Sequence, residues 1–122
     1  MGMSLRIELF VDDLDVFVGF YTRVLAFELV DDRRDAEWPY VAVARDGVRI
    51  GAVRAGEDVD RAARMVPTGA EIVLEVDDVA AEYARVDAAG HPPVGELQQR
   101  PWGLTDFRLH DPDGYYLRVT GR

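Results

Sequence analysis

The sequence predicts an α+β domain made of two tandem copies of one βαβββ unit. Three recurrences carry that reading. Val11-Asp12-Asp13 returns as Val76-Asp77-Asp78, Arg23-Val24 returns as Arg85-Val86, and Asp46-Gly47 returns as Asp113-Gly114. Each half therefore runs strand, aspartate-capped helix, then strands closed by an Asp-Gly turn. A single unit would leave sheet edges and one sheet face exposed, so the copies need each other or a second chain.

Residues 5–11 alternate, with Arg6, Glu8 and Phe10 on a mixed face and Ile7, Leu9 and Val11 on an apolar one. Asp12 and Asp13 stop that strand and offer an N-cap. Leu14, Phe17, Val18, Tyr21 and Leu25 then follow helical spacing and form one apolar stripe. Strands follow at Tyr40 to Ala44 and Val48 to Val53, joined by the hairpin turn Asp46-Gly47. Module one is assigned residues 4–54, and the polar stretch 55–69 reads as a linker with one helical turn.

Module two, residues 70–122, opens with a strand at Glu71 to Val76. A helix follows with Val79, Tyr83 and Val86 inward, and Gly90 stands where a C′ glycine ends it. Strands at Trp102 to His110 and Tyr115 to Thr120 flank the turn Asp111-Pro112-Asp113-Gly114. The whole chain, 1–122, reads as one domain.

Charge and composition exclude several functions. All fourteen basic residues are Arg and face twenty-three Asp and Glu, for a formal charge of −9. Such a surface repels phosphate backbones and anionic lipid, so nucleic acid and membranes are poor partners. Without cysteine there is no disulfide, zinc-thiolate site or thiol nucleophile. The N-terminus opens into a strand pattern without a signal-peptide apolar run, and the expectation is a cytoplasmic protein.

Three stretches resemble the glyoxalase, bleomycin-resistance and extradiol-dioxygenase group, the vicinal oxygen chelate superfamily. They are Ile7 to Phe27, with Ala26 at a position usually held by glycine, then Ile72 to Gly90, and Pro101-Trp102-Gly103 with the Asp-Pro-Asp-Gly turn. The resemblance implies two βαβββ modules forming a cup-like, incompletely closed mixed β-barrel with helices on the outer face, commonly as a homodimer. Its enzymes hold a divalent metal through the first and last strands of each module. Its antibiotic-binding members have no metal and take their ligand in an aromatic cleft, usually at the dimer interface.

Carried over residue by residue, the four metal positions are Arg6, Gly51, Glu71 and Arg118. A guanidinium stays protonated and offers no lone pair, and glycine has no side chain. One carboxylate in four does not make a catalytic metal site. The expectation is no metal, no cofactor and no catalytic residue: a protein that sequesters an aromatic or apolar compound such as an antibiotic. The alternative is a lyase, isomerase or dioxygenase with an atypical site.

Strand alternation puts Arg6, Glu8, Glu71 and Arg118 on the concave side. There they can neutralise one another as a salt-bridge plug, or the arginines can hold a ligand carboxylate or phenolate. Phe10, Trp38, Tyr40, Trp102 and Tyr116, at strand starts or on mixed faces, are candidates to stack on a flat ligand. Phe17, Tyr21, Tyr83 and Phe107 read as core. His91 and His110 read as turn residues rather than ligands, and the repeated Asp-Asp pairs as helix caps.

Overall fold

The computed structural model describes residues 2–122. The elements are strand β1 (Ile7–Val11), helix α1 (Leu14–Arg23), strands β2 (Glu28–Arg33), β3 (Tyr40–Arg45) and β4 (Val48–Arg54), and a short helix α2 (Arg61–Arg64). Strand β5 (Ile72–Glu75), helix α3 (Val79–Ala88) and strands β6 (Val94–Gln99), β7 (Thr105–His110) and β8 (Tyr116–Thr120) complete the chain. They form two four-stranded mixed sheets, ordered β1-β4-β3-β2 and β5-β8-β7-β6. In each sheet the module's first strand lies parallel to its last, and the other neighbours are antiparallel. The duplication read from the sequence is thus a duplication of topology. Among the described residues no strand of one sheet pairs with a strand of the other, so the sheets are not closed into a barrel. The chain divides into two compact units between Val59 and Asp60.

In the first unit α1 packs on β2, β3 and β4. Leu9, Val11, Val41, Val43, Ile50 and Ala52 meet Leu14, Phe17, Phe20 and Tyr21, all buried. Tyr21 is the centre of this core, with ring centroids of Phe17, Phe20 and Phe27 at 4.7, 4.9 and 5.7 Å. Phe20 rather than Val18 completes the buried stripe, and Leu25 packs from beyond the helix end. Asp13 caps α1, its Oδ1 accepting from the amides of Asp15 and Val16.

The second unit repeats the scheme with a smaller core. Leu74, Val86, Phe107, Leu109, Leu117 and Val119 are buried, and Tyr83 meets Phe107 edge-on at 5.2 Å. Asp78 caps α3 through the Ala81 amide. Gly90, at φ +75°, ends it with paired bonds from His91 to Val86 and from Gly90 to Asp87, the Schellman pattern. Helix α2 belongs to this unit: Arg61 donates to the Pro112 carbonyl at 2.6 Å, and a side chain at Gly114 would collide with the Arg61 backbone. The helical turn expected in the linker is therefore a clamp on the Asp-Pro-Asp-Gly turn.

Two strands and one boundary differ from the sequence reading. β2 and β6, the second strands of the modules, are polar edge strands whose alternation is broken by register shifts at Leu29/Asp31 and Val94/Gln98. Trp102 does not start a strand. It sits in the tight turn before β7, held by bonds from Gly103 to the Arg100 carbonyl and from Arg100 to the Leu104 carbonyl.

Ala26 adopts φ +58°, the left-handed conformation that costs a Cβ-bearing residue roughly 1–2 kcal/mol. Ala26→Gly should therefore raise stability by about 1 kcal/mol, less whatever the unfolded chain gains in freedom. Urea unfolding of both proteins measures it, and an unchanged or lower midpoint would contradict the strain.

Candidate functional site

Each sheet has one face against its helix and an opposite face that carries polar side chains. In the first unit, pairing puts Glu8 beside Gly51 and Phe10 beside Val53, with Ala42 across from Gly51. Glu8 is the hub. Arg6 Nε forms an ion pair with its Oε1, and Tyr40 donates its hydroxyl to the same oxygen at 3.0 Å. Gly51 makes this possible, since a Cβ there would overlap both Glu8 Oε2 and the Tyr40 hydroxyl. Burial, then the bond to Glu8 and its charge, raise the Tyr40 phenol above its ordinary pKa. Glu8 Oε2 is buried without a hydrogen-bond partner.

In the second unit the equivalent face carries Asp106 and Arg108 on β7 and Arg118 on β8, with Arg108 directly across from Arg118. Arg118 pairs with Glu71. Asp106 is fully buried, receives Arg100 Nε at 2.8 Å and stands 3.6 Å from Arg108. The four charges expected to share one plug thus form two pairs, Arg6–Glu8 and Glu71–Arg118, each inside its own module. Asp106, Arg108 and Arg100 were missed from sequence, although the alternation that buries Phe107 and Leu109 places Asp106 and Arg108 opposite them.

The aromatic candidates divide between the units. Trp38 and Tyr40 line an open groove of about 580 Å³ with Arg33, Pro39, Val53, Arg54 and Ala55. Trp38 is 82% exposed, and the Arg33 guanidinium lies 4.9 Å over the Tyr40 ring. Phe10, 54% exposed, extends the apolar strip beyond Val53. In the second unit Tyr116 meets His110 at 5.7 Å, and Trp102 is 57% exposed in its turn.

A second cleft of about 540 Å³, lined by Asp12, Asp13, Asp15, Asp32 and Asp35 with Arg34 and Arg54, has most of its charges engaged. Asp13 is a cap. Arg34 forks onto Asp32 at 2.8 and 2.7 Å and reaches Asp15 at 2.8 Å. Its hydrogen bonds hold the Asp32 carboxyl below the usual range. The aromatic groove is the better ligand site because most of its lining is apolar and Trp38 stands exposed on it.

The histidines have structural partners. His91 Nε2 contacts the His110 carbonyl at 2.7 Å, and His110 Nε2 contacts the Met65 carbonyl at 3.0 Å. Among the described residues no group of three or more His, Asp or Glu side chains is gathered as a metal site would require. The donor set does not fit a divalent ion: Arg6 and Arg118 are cationic, and the space above Gly51 is filled by Glu8 and Tyr40.

Two βαβββ modules with matching sheets define an α+β class in which helix-backed sheets present polar faces for binding or catalysis. The chain belongs to the Glyoxalase/Bleomycin resistance protein/Dioxygenase superfamily, whose family model matches residues 4–119. Among solved structures it is similar to TioX from Micromonospora sp. ML1, at 26% identity over 98% of both chains with a TM-score of 0.79. It also shares the fold of TnmS3, an antibiotic binding protein from Streptomyces sp. CB03234, at 22% identity over 99% of this chain and 96% of that one (TM-score 0.73). A superfamily member from Sphaerobacter thermophilus DSM 20745 aligns at 20% identity over 100% and 98% of the chains, with a TM-score of 0.73. No curated protein matches the sequence. Among the described residues no helix is long and apolar enough to cross a membrane.

The raised Tyr40 pKa has a defined sign. Its contribution to stability is intact below the ordinary value of 10.0 and is lost as pH rises from there through the folded-state pKa. An ultraviolet difference titration of the parent against Tyr40→Phe should place the Tyr40 midpoint above 10.0. Glu8→Gln should move it only part of the way back, because burial is the larger cause. A midpoint at or below the ordinary value would mean that Tyr40 is not buried in solution, and an unchanged midpoint in Glu8→Gln would mean that the Glu8–Tyr40 contact does not form there.

Proposed function

We propose that the chain binds and sequesters a small, flat, largely aromatic molecule, such as an antibiotic, without a resident metal. The groove formed by Trp38, Tyr40 and Val53 carries this reading. Its volume is in the range of small-molecule sites, and two aromatic side chains lie on one wall. Burial of the ligand's apolar area would supply most of the affinity, with stacking adding roughly 0.5–1.5 kcal/mol per ring pair. The donor set at Arg6, Gly51, Glu71 and Arg118 supports metal-free binding, and antibiotics are suggested as ligands by TnmS3, an antibiotic binding protein of the same fold. Phe10 is proposed as a further contact of this groove, with Arg6 and Glu8 as the polar floor of the first sheet; in the second unit Trp102, Tyr116, Glu71 and Arg118 are proposed as ligand contacts in their own right.

One observation favours a second reading. Glu8 Oε2 is a buried acceptor with no partner, beside a phenol that shares its carboxylate. A carboxylate so placed can take a proton from a bound substrate, as an isomerase or lyase requires. Turnover abolished by Glu8→Gln with ligand affinity retained would establish that reading over sequestration.

The binding test uses tryptophan fluorescence against a panel of aromatic antibiotics and polyketides. A ligand that binds should quench Trp38, and Trp38→Ala should weaken it about tenfold, or roughly 1.4 kcal/mol. Chelation with EDTA should leave the affinity unchanged. Silence of both tryptophans toward the whole panel, or loss of binding on chelation, would defeat the proposal.

We also propose a homodimer. β1, β2, β5 and β6 are all edge strands, and β2 and β6 are polar ones that a partner can cover at little cost. Sedimentation at tens of micromolar (about the concentration at which an ordinary interface is filled) should show twice the 13.7 kDa chain mass. A single species at that chain mass would rule the dimer out.

A further inference from the structure

The polar face of the second sheet has an arrangement that the fold does not need. Arg108 on β7 and Arg118 on β8 are direct cross-strand partners. Such partners stand about 4.5–5.5 Å apart at Cβ, and like charges there are destabilising. The chain separates them by giving each an anion on its outer side. Glu71 holds Arg118 by its terminal nitrogen, and Asp106 faces Arg108 at 3.6 Å. Asp106 is mainly committed elsewhere, to Arg100 at 2.8 Å.

What remains is unfilled. The Nε atoms of both Arg108 and Arg118 are buried and have no hydrogen-bond partner, and the one buried acceptor near them that also lacks a donor, Asp106 Oδ2, stands 3.6 Å from the Arg108 terminal nitrogen. A buried donor left without a partner costs about 1–3 kcal/mol, and two of them sit on neighbouring positions of the same sheet face. The charges are also unbalanced. Arg100, Arg108 and Arg118 face Asp106 and Glu71, while Glu75, one pleat further along β5, is exposed. The two arginine side chains are 27% and 24% exposed, so an anion can reach the guanidinium groups, and it meets the Nε donors as those groups turn toward it.

We propose that Arg108 and Arg118 form an anion-binding site on the second sheet for a carboxylate or ionised phenol. The site rests on the binding-protein reading and names the chemical class that reading leaves open, an aromatic molecule carrying one negative charge. An oxyanion over the sheet face, between the two side chains, would accept from both guanidinium groups and relieve the cross-strand repulsion in the same step. The chain's overall charge of −9 does not oppose this, because an exposed acid more than a Debye length away, about 8 Å at physiological salt, is largely screened. The overall charge acts on approach: association should be slow at low salt, while the bound anion feels the arginines.

The test compares naphthoate with naphthamide, its neutral counterpart of the same shape, by calorimetry and by NMR of the arginine Nε–H signals. Naphthoate should bind about tenfold more tightly and shift the Arg108 and Arg118 signals, whereas naphthamide should leave both in place. Arg108→Gln should erase the tenfold preference and keep the naphthamide affinity. If that variant does not fold, the NMR comparison on the parent protein decides alone. Equal affinities for the two probes would overturn the anion site and leave the binding-protein reading standing. The anion site also falls if the preference survives in Arg108→Gln, if naphthoate shifts other arginines but not these two, or if neither probe binds.

Discussion

The polar side of the first sheet depends on one close approach. Glu8 and Tyr40 reach across the sheet to each other over the bare Cα of Gly51, and any side chain at that position would separate them. Once they meet, the carboxylate is fixed, and Arg6 pairs with it from the residue before β1. Tyr40 is held by its hydroxyl at one end and covered by Arg33 on its ring, which sets the wall of the aromatic groove. A single glycine thus links the charge arrangement to the shape of the ligand surface. The space is used by the neighbours of the missing side chain.

The second module solves the same problem with opposite chemistry. At the position matching Gly51 stands Arg118, long and cationic, and it is tied outward to Glu71. The two copies kept their strand order, caps and Asp-Gly turns while their polar faces diverged. That is physically reasonable, because the apolar faces are constrained by packing against α1 and α3 and the polar faces are not. Asp106 marks the limit of that freedom. A fully buried carboxylate is tolerated only with a good partner, and Arg100 supplies one at 2.8 Å while also anchoring the turn that carries Trp102.

Most of the fold was legible because the duplicated signals are local. Caps at Asp13 and Asp78, the C′ role of Gly90 and the alternation of β1 depend on a few adjacent residues, and each stands as the pattern implied. β2 and β6 were not legible. Their alternation is interrupted by bulges, their residues are largely polar, and as edge strands they need no continuous apolar face. The pairings Arg6–Glu8 and Glu71–Arg118 follow from alternation and charge. Their separation into two modules does not, since sequence offers no distance between Glu8 and Arg118. Tyr40 as the partner of Glu8 was hidden for the same reason: the two are brought together by the β1-β4-β3 order and by the absence of a side chain between them.

The two polar faces carry complementary deficits. The first module ends with an acceptor lacking a donor, at Glu8 Oε2, and the second with two donors lacking an acceptor, at Arg108 and Arg118, beside one acceptor lacking a donor, at Asp106 Oδ2. Each deficit costs stability, so a fold selected for stability alone would have removed them with apolar residues of similar size. A ligand group that offers a donor to the first face, or an anion to the second, would recover the cost at that face on binding, converting native-state strain into affinity and specificity. An uncharged hydrocarbon of the same shape would gain only the aromatic groove. The aromatic wall therefore sets how tightly flat molecules bind in general, and the orphaned polar atoms set which of them is preferred.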